Sequence, residues 1–111
     1  MTQYELLPEQ ALDSEGYPTD AILEWIKNYV PDESMPIESF VENVLKDIWW
    51  VRGFYYKKEV GKLYLSTGGW SGNELIIRAI EDNKNIKFTH YSFKKEQWRR
   101  GGHYIFEVRT T

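Results

Sequence analysis

The stretch Thr67-Gly68-Gly69-Trp70-Ser71-Gly72-Asn73-Glu74 limits the fold of this chain more than any other, because it must turn an alternating, strand-like run into a compact apolar helix. Ser71 and Glu74 stand three residues apart, the spacing of a capping box. In that arrangement the Ser71 hydroxyl accepts the Glu74 N–H, and the Glu74 carboxylate reaches back to the Ser71 N–H. The paired glycines before it suit positive φ or the close approach of another group. Trp70 adds a large aromatic surface beside the free N–H groups of a first helical turn, a place that favours anions. The plainer reading of the same residues is turn chemistry, with Trp70 packed in the core.

Periodicity on either side sets the expected architecture. Residues 1–16 hold Pro8 and Asp13-Ser14-Glu15-Gly16 and form an irregular arm, with Leu6, Leu7 and Leu12 available to tack onto the body. Thr19 is placed to cap a helix that carries Asp20 in its first turn, Ile22, Trp25, Ile26 and Tyr29 on one face, and Pro31 after its end. Pro36 suits the first turn of a second helix, in which Ile37, Phe40, Val41, Val44, Leu45 and Ile48 form a long apolar stripe and Glu42 pairs with Lys46 outside.

After Trp49-Trp50 the pattern changes. Residues 53–59 and 62–67, split by Val60-Gly61, predict a β-hairpin in which Leu63 and Leu65 share a face. A helix over 72–82 presents Leu75, Ile76, Ala79 and Ile80 to the core. Strands over 86–93 and 103–109 flank a basic loop at 94–102. The predicted fold is therefore α+β: two N-terminal helices, a β-hairpin, a helix and a second hairpin, forming a mostly antiparallel four-stranded sheet. At 111 residues the chain makes a single domain spanning 1–111.

The absence of cysteine excludes disulfides, thiolate metal sites and a thiol nucleophile. No apolar run approaches membrane-span length, and the N-terminus lacks a basic segment followed by an apolar one, so no membrane association and a cytoplasmic location are expected. Charge is unevenly spread. Residues 1–48 carry eleven acids against Lys27 and Lys46, whereas 49–111 carry twelve bases against six acids. Either the halves attract each other within the fold, which is the favoured reading, or the second half offers a basic face to an anionic partner.

The residues Gly16-Tyr17-Pro18-Thr19, Ser66-Thr67-Gly68-Gly69-Trp70-Ser71-Gly72-Asn73-Glu74 and Arg99-Arg100-Gly101-Gly102-His103-Tyr104-Ile105-Phe106 together resemble a family of small uncharacterised proteins of bacteria and their phages. The resemblance runs from about residue 16 to the C-terminus. It implies a single-domain architecture and an association with mobile genetic elements, and it brings no activity with it.

Two classes of function are compatible with these residues. If the two glycine motifs meet, then Gly68, Gly69, Trp70, Ser71, Gly72, Asn73, Arg99, Arg100 and His103 would form a phosphoanion or nucleotide site, with two guanidinium groups and a helix N-terminus as its donors. The loop lacks the Lys-Ser/Thr pair of a nucleotide P-loop and the spacing of the dinucleotide fingerprint. His90, His103, Glu74, Ser71 and Glu107 are the candidates for catalysis, but they form no recognisable constellation. No catalytic residue, metal or cofactor is assigned. The basic and aromatic residues of the second half suit single-stranded nucleic acid, yet the acidic helices would repel a polyanion, so nucleic acid is not expected. A protein partner is the favoured expectation, with a phosphate-containing ligand as the alternative.

Overall fold

Thr19 opens α1 (Asp20–Asn28): its backbone is extended, and its hydroxyl accepts the Ile22 N–H at 3.3 Å. Ile22 and Ile26 are buried along the inner face, and Tyr29 at the C-cap is buried with them. The computed structural model describes residues 2–50, 54–57, 62–92 and 103–107.

The N-terminal arm is fixed to this helix by a side-chain amide. Gln3 donates through Nε2 to the Val30 carbonyl at 2.6 Å and accepts the Val30 N–H on Oε1 at 3.1 Å. Leu7 and Leu12 are half-buried against the core, and Leu12 bridges to Pro18, whereas Leu6 remains exposed.

Between α1 and the next helical run, Asp32 organises a tight turn. One of its oxygens accepts from the Ser34 hydroxyl at 2.6 Å, the Ser34 N–H at 2.8 Å and the Met35 N–H at 3.1 Å. These bonds, the one from the Ser34 hydroxyl foremost, hold the Asp32 carboxyl below the ordinary carboxylate range. The Tyr29 hydroxyl donates to the Met35 carbonyl at 2.7 Å, and burial pushes this phenol well above its usual range.

The expectation of two regular N-terminal helices is corrected here. Residues 37–48 comprise a short α2 (Ile37–Phe40), a π-helical segment (Val41–Leu45) in which the Lys46 N–H reaches the Val41 carbonyl, and a short α3 (Lys46–Ile48). The cause lies in the spacing of the apolar residues. Ile37, Val41 and Leu45 recur every four residues, as do Phe40, Val44 and Ile48. An ideal α-helix, at about 3.6 residues per turn, would let both rows drift off the core face, and one widened turn takes up that drift. All six side chains are buried. Glu42 and Lys46, expected to pair, are both exposed, and among the described residues they form no ion pair. An exposed pair gains little in water.

The remaining elements are β1 (Phe54–Lys57), β2 (Lys62–Ser66), α4 (Ser71–Glu81), β3 (Lys87–Ser92) and β4 (His103–Glu107). The sheet order is β1-β2-β4-β3, and each neighbouring pair is antiparallel. The predicted "mostly antiparallel" layout is corrected in this respect: the last strand is an inner one, wedged between β2 and β3, and no parallel pair occurs among the described strands. A register shift between Phe88 and His90 leaves Thr89 unmatched against β4. The Val60-Gly61 turn and the basic loop at 94–102 lie outside the described residues.

Among the strand residues whose side chains are described, Leu63, Leu65 and Phe106 are buried in the core, with Leu63 directly opposite Phe106. Against them pack the inner faces of α1, the 37–48 run and α4, where Ile76, Ile77, Ala79 and Ile80 are buried. The architecture is an α+β pair of layers, helices over one face of the sheet. Among the described residues no helix is long and apolar enough to cross a membrane.

The C-terminal end of α4 is joined to that of α1 by Asn83. This buried side chain donates to the Ile26 carbonyl at 2.7 Å and the Tyr29 carbonyl at 2.9 Å, while its own oxygen accepts the Asn85 N–H at 2.7 Å. The Ile26 carbonyl also accepts the Tyr29 N–H at 3.3 Å and the Tyr29 carbonyl the Asn85 Nδ2 at 3.2 Å, so Asn83→Ala removes buried hydrogen bonds without stranding either carbonyl. It should lower stability by about 1–2 kcal/mol; chemical denaturation with an unchanged m-value is the check. Asp32 should titrate below the ordinary carboxylate value of about 3.9. Its contribution to stability is thus present above the unfolded-state pKa and is lost as pH falls through the lower folded-state value. A carboxyl-detected NMR titration reads this directly.

Candidate functional site: an aromatic ledge at the start of helix four

Thr67 to Trp70 form a tight turn closed by the Trp70 N–H on the Thr67 carbonyl at 3.2 Å. Both central residues have positive φ, 64° at Gly68 and 80° at Gly69, the pattern of a type I′ turn that residues with a Cβ avoid. Thr67 is fully buried, and its hydroxyl accepts the Gly69 N–H at 3.3 Å. The two glycines are exposed.

The capping box is corrected. Helix α4 begins at Ser71 itself, and Trp70 is the capping position, with no side-chain cap hydrogen bond. The Ser71 hydroxyl instead faces the Tyr17 hydroxyl at 3.5 Å, and the Glu74 carboxylate lies 3.5 Å from the Thr67 hydroxyl. Starting the helix one residue early puts Ser71 inside the first turn, where its side chain cannot reach the Glu74 N–H. That N–H goes to the Trp70 carbonyl at 3.2 Å.

The helix start is held by Asn73 instead. Its side chain is fully buried; Oδ1 accepts the Trp50 N–H at 3.2 Å, and Nδ2 donates to the Thr67 carbonyl at 3.3 Å. One amide thus ties the segment after α3, the end of β2 and the first turn of α4 together. Trp70 folds back over that turn: a Cβ on Gly72 would lie 2.4 Å from two atoms of its six-membered ring. Gly72 is required because the indole occupies the space of a side chain.

On either side of Trp70 stand two further rings. Tyr17 is 4.7 Å away between centroids, tilted by 46°, and Trp50 is 4.8 Å away, tilted by 38°. Trp50 is 62% exposed at the end of this row. Such tilted contacts contribute on the order of 1 kcal/mol each beyond the area they bury.

Of the residues selected from sequence, the structure brings Gly68, Gly69, Trp70, Ser71, Gly72, Asn73 and Glu74 into this one corner. His103 opens β4 directly opposite Ser66, the last residue of β2, next to the start of the first glycine motif. Arg99 and Arg100 lie outside the described residues. His90 stands opposite Ile105, and Glu107 opposite Lys62 and Lys87. Among the described residues no group of three His, Asp or Glu side chains is placed to hold a metal ion. Gly72 and Asn73 are buried, whereas Ser71 and Glu74 are exposed.

Sequence reasoning missed Tyr17 and Trp50 as parts of this corner and Asn73 as its tie. The adjacent Trp49-Trp50 was the available signal, since two neighbouring indoles on one extended segment cannot both face the core. Trp49 is buried and Trp50 is not.

Fold and corner together define a small α+β domain that displays a row of rings at a helix start. Compared with protein-family models, curated proteins and solved structures, the chain matches none.

The geometry sets the direction of two substitutions. Gly72→Ala, ordinarily stabilising inside a helix, should here cost about 1–3 kcal/mol by overpacking against Trp70 and should alter tryptophan fluorescence. In a Trp70→Ala background the same change should turn neutral or stabilising. Ser71→Ala should stay within about 0.5 kcal/mol of the parent, because no cap is lost. Denaturation midpoints of the four variants measure all three effects.

Proposed function

We propose that this chain is a non-enzymatic interaction domain whose contact surface is the ledge of Tyr17, Trp70 and Trp50, and whose partner is a protein. The observation that carries the reading is Trp50. Its backbone N–H is pinned by a buried asparagine and its ring rests on Trp70, yet 62% of the residue faces solvent. A large indole held rigid and left open loses little entropy on binding, and tryptophan and tyrosine dominate the energetics of protein contacts. The exposed Gly68 and Gly69 beside the ledge allow a partner's backbone to approach closely. The resemblance to small bacterial and phage proteins suits a mobile-element accessory protein acting on a host protein, in the cytoplasm.

A second reading, phosphoanion binding, draws on the pairing of Ser66 with His103, which brings the start of β4 next to the first glycine loop. Arg99 and Arg100 precede that strand by a few residues and would supply the charge-assisted bonds. Against it stand the indole laid over the first helical turn and Glu74, an exposed acid that already complements the dipole.

The experiment is a comparison of the parent with Trp50→Ala as baits in bacterial lysate, followed by titration of both with inorganic phosphate under NMR. The interaction reading requires a specific protein to be retained by the parent and lost, about tenfold or more, with Trp50→Ala, the fold being unchanged. Retention by both baits rejects the ledge as the contact. Joint shifts of residues 68–73 and His103 with phosphate, abolished by Arg99→Ala with Arg100→Ala, would install the second reading instead.

A further inference from the structure

Helices α1 and α4 lie side by side and run in the same direction. At their N-terminal ends the rings of Tyr17 and Trp70 are 4.7 Å apart, and at their C-terminal ends Asn83 bonds the Ile26 and Tyr29 carbonyls. Between them is a surface groove of about 230 Å³. From α1 it is lined by Asp20, Leu23, Glu24 and Lys27, and from α4 by Leu75, Arg78, Ala79 and Asp82. Each set follows the spacing i, i+3, i+4, i+7, the stripe by which a helix meets another helix.

At two of their levels the stripes carry complementary charges. Matching the helix ends places Glu24 at the height of Arg78 and Lys27 at the height of Asp82, while Asp20 and Leu75 stand nearer the N-terminal end. Within the monomer these opportunities go unused. Among the described residues the one ion pair is Lys27 with its own-helix neighbour Glu24, at 3.8 Å. Arg78 is exposed and makes no ion pair in that set. Leu75, on the same stripe, is 40% exposed.

We infer that this groove is a self-association surface and that its occupant is a second copy of this chain. A two-fold axis running along the helices lays α1 of each copy over α4 of the other. Glu24 then meets the Arg78 of the second copy, Lys27 meets its Asp82, and Leu23 and Leu75 supply the apolar contact nearer the N-terminal end. The symmetry makes every one of these contacts twice, as an isologous interface must. A foreign helix would need the same alternation of charges in the same register; a second copy carries it already. The ledge of Tyr17, Trp70 and Trp50 sits at the end of the helix pair rather than along this side, so the inference stands apart from the proposed partner contact.

Sedimentation equilibrium from micromolar to millimolar protein tests it. The expected result is a mass moving from 13.2 kDa toward twice that value, with association weakened by added salt. Arg78→Glu and Glu24→Arg should each weaken association about tenfold or more, and the two changes combined in one chain should regain it, because the pair is merely reversed. Leu75→Asp should weaken it as well, and near-UV circular dichroism shows that each variant remains folded. Trp50→Ala should dimerise like the parent. A monomer at every concentration overturns the inference. So does a dimer indifferent to both Arg78→Glu and Leu75→Asp, or a charge-reversed pair that fails to regain association.

Discussion

Everything in this fold that is arranged for contact depends on two buried asparagines, one at each end of α4. Asn73 spends both ends of its amide on the backbone of other segments, the Trp50 N–H and the Thr67 carbonyl. Asn83 donates to two carbonyls at the C-terminal end of α1, those of Ile26 and Tyr29, and accepts from the turn into β3. Each of these carbonyls already accepts one local hydrogen bond, from Trp70, Tyr29 or Asn85, and the asparagine adds a second that ties one segment to another. The two side chains also fix α4 in angle and height. That helix is the crossing between the β1–β2 pair and the β3–β4 pair, and with its two ends tied it sets where both meet the helical layer.

The N-terminal tie explains why the glycine stretch is not a bare anion cradle. A phosphate loop needs its first-turn N–H groups open to solvent. Here Trp70 lies over Gly72, and both Gly72 and Asn73 are buried. The glycines serve two separate demands: positive φ at positions 68 and 69, and the lack of a Cβ at 72. The result is a hard aromatic surface where an open helix end would otherwise be. Trp50 extends that surface outward because the Asn73 bond to its N–H prevents the segment after α3 from turning the ring inward.

How far the sequence disclosed this depends on the range of the interaction. The Thr19 cap of α1 and its Ile22–Ile26 face follow from residues a few positions apart, and both are visible in the local pattern. The four-residue spacing at 37–48 is present too, but locally it reads as an ordinary helical stripe, and the π-helical segment is what that spacing produces once both rows must reach one core. Ser71 and Glu74 pair in any local reading because their spacing satisfies a local rule. The structure instead satisfies Asn73 against a residue 23 positions away, and a purely local reading has no means of weighing that bond. Asn83 is further out still, bonding Ile26 across 57 positions. An asparagine just after a helix reads locally as a stop signal; its role in joining two helix ends is decided only by packing. Of the candidate site, the corner itself was legible, while its ring partners Tyr17 and Trp50 were not.

The parallel arrangement of α1 and α4 links the two surfaces. Their N-terminal ends carry the ledge, and their common side carries the charged groove, so both are positioned by the same asparagine ties. A two-fold axis along the helices would leave both ledges at the same end of a dimer and free of the interface. Two such ledges would face one partner together, and the second contact would form at the effective concentration set by a rigid spacing rather than by diffusion. A domain of 111 residues with one exposed tryptophan per ledge has little area for a strong single contact. In such a dimer, two contacts in fixed relation would raise avidity without enlarging the ledge, and would favour partners that are themselves paired or repetitive over lone monomers.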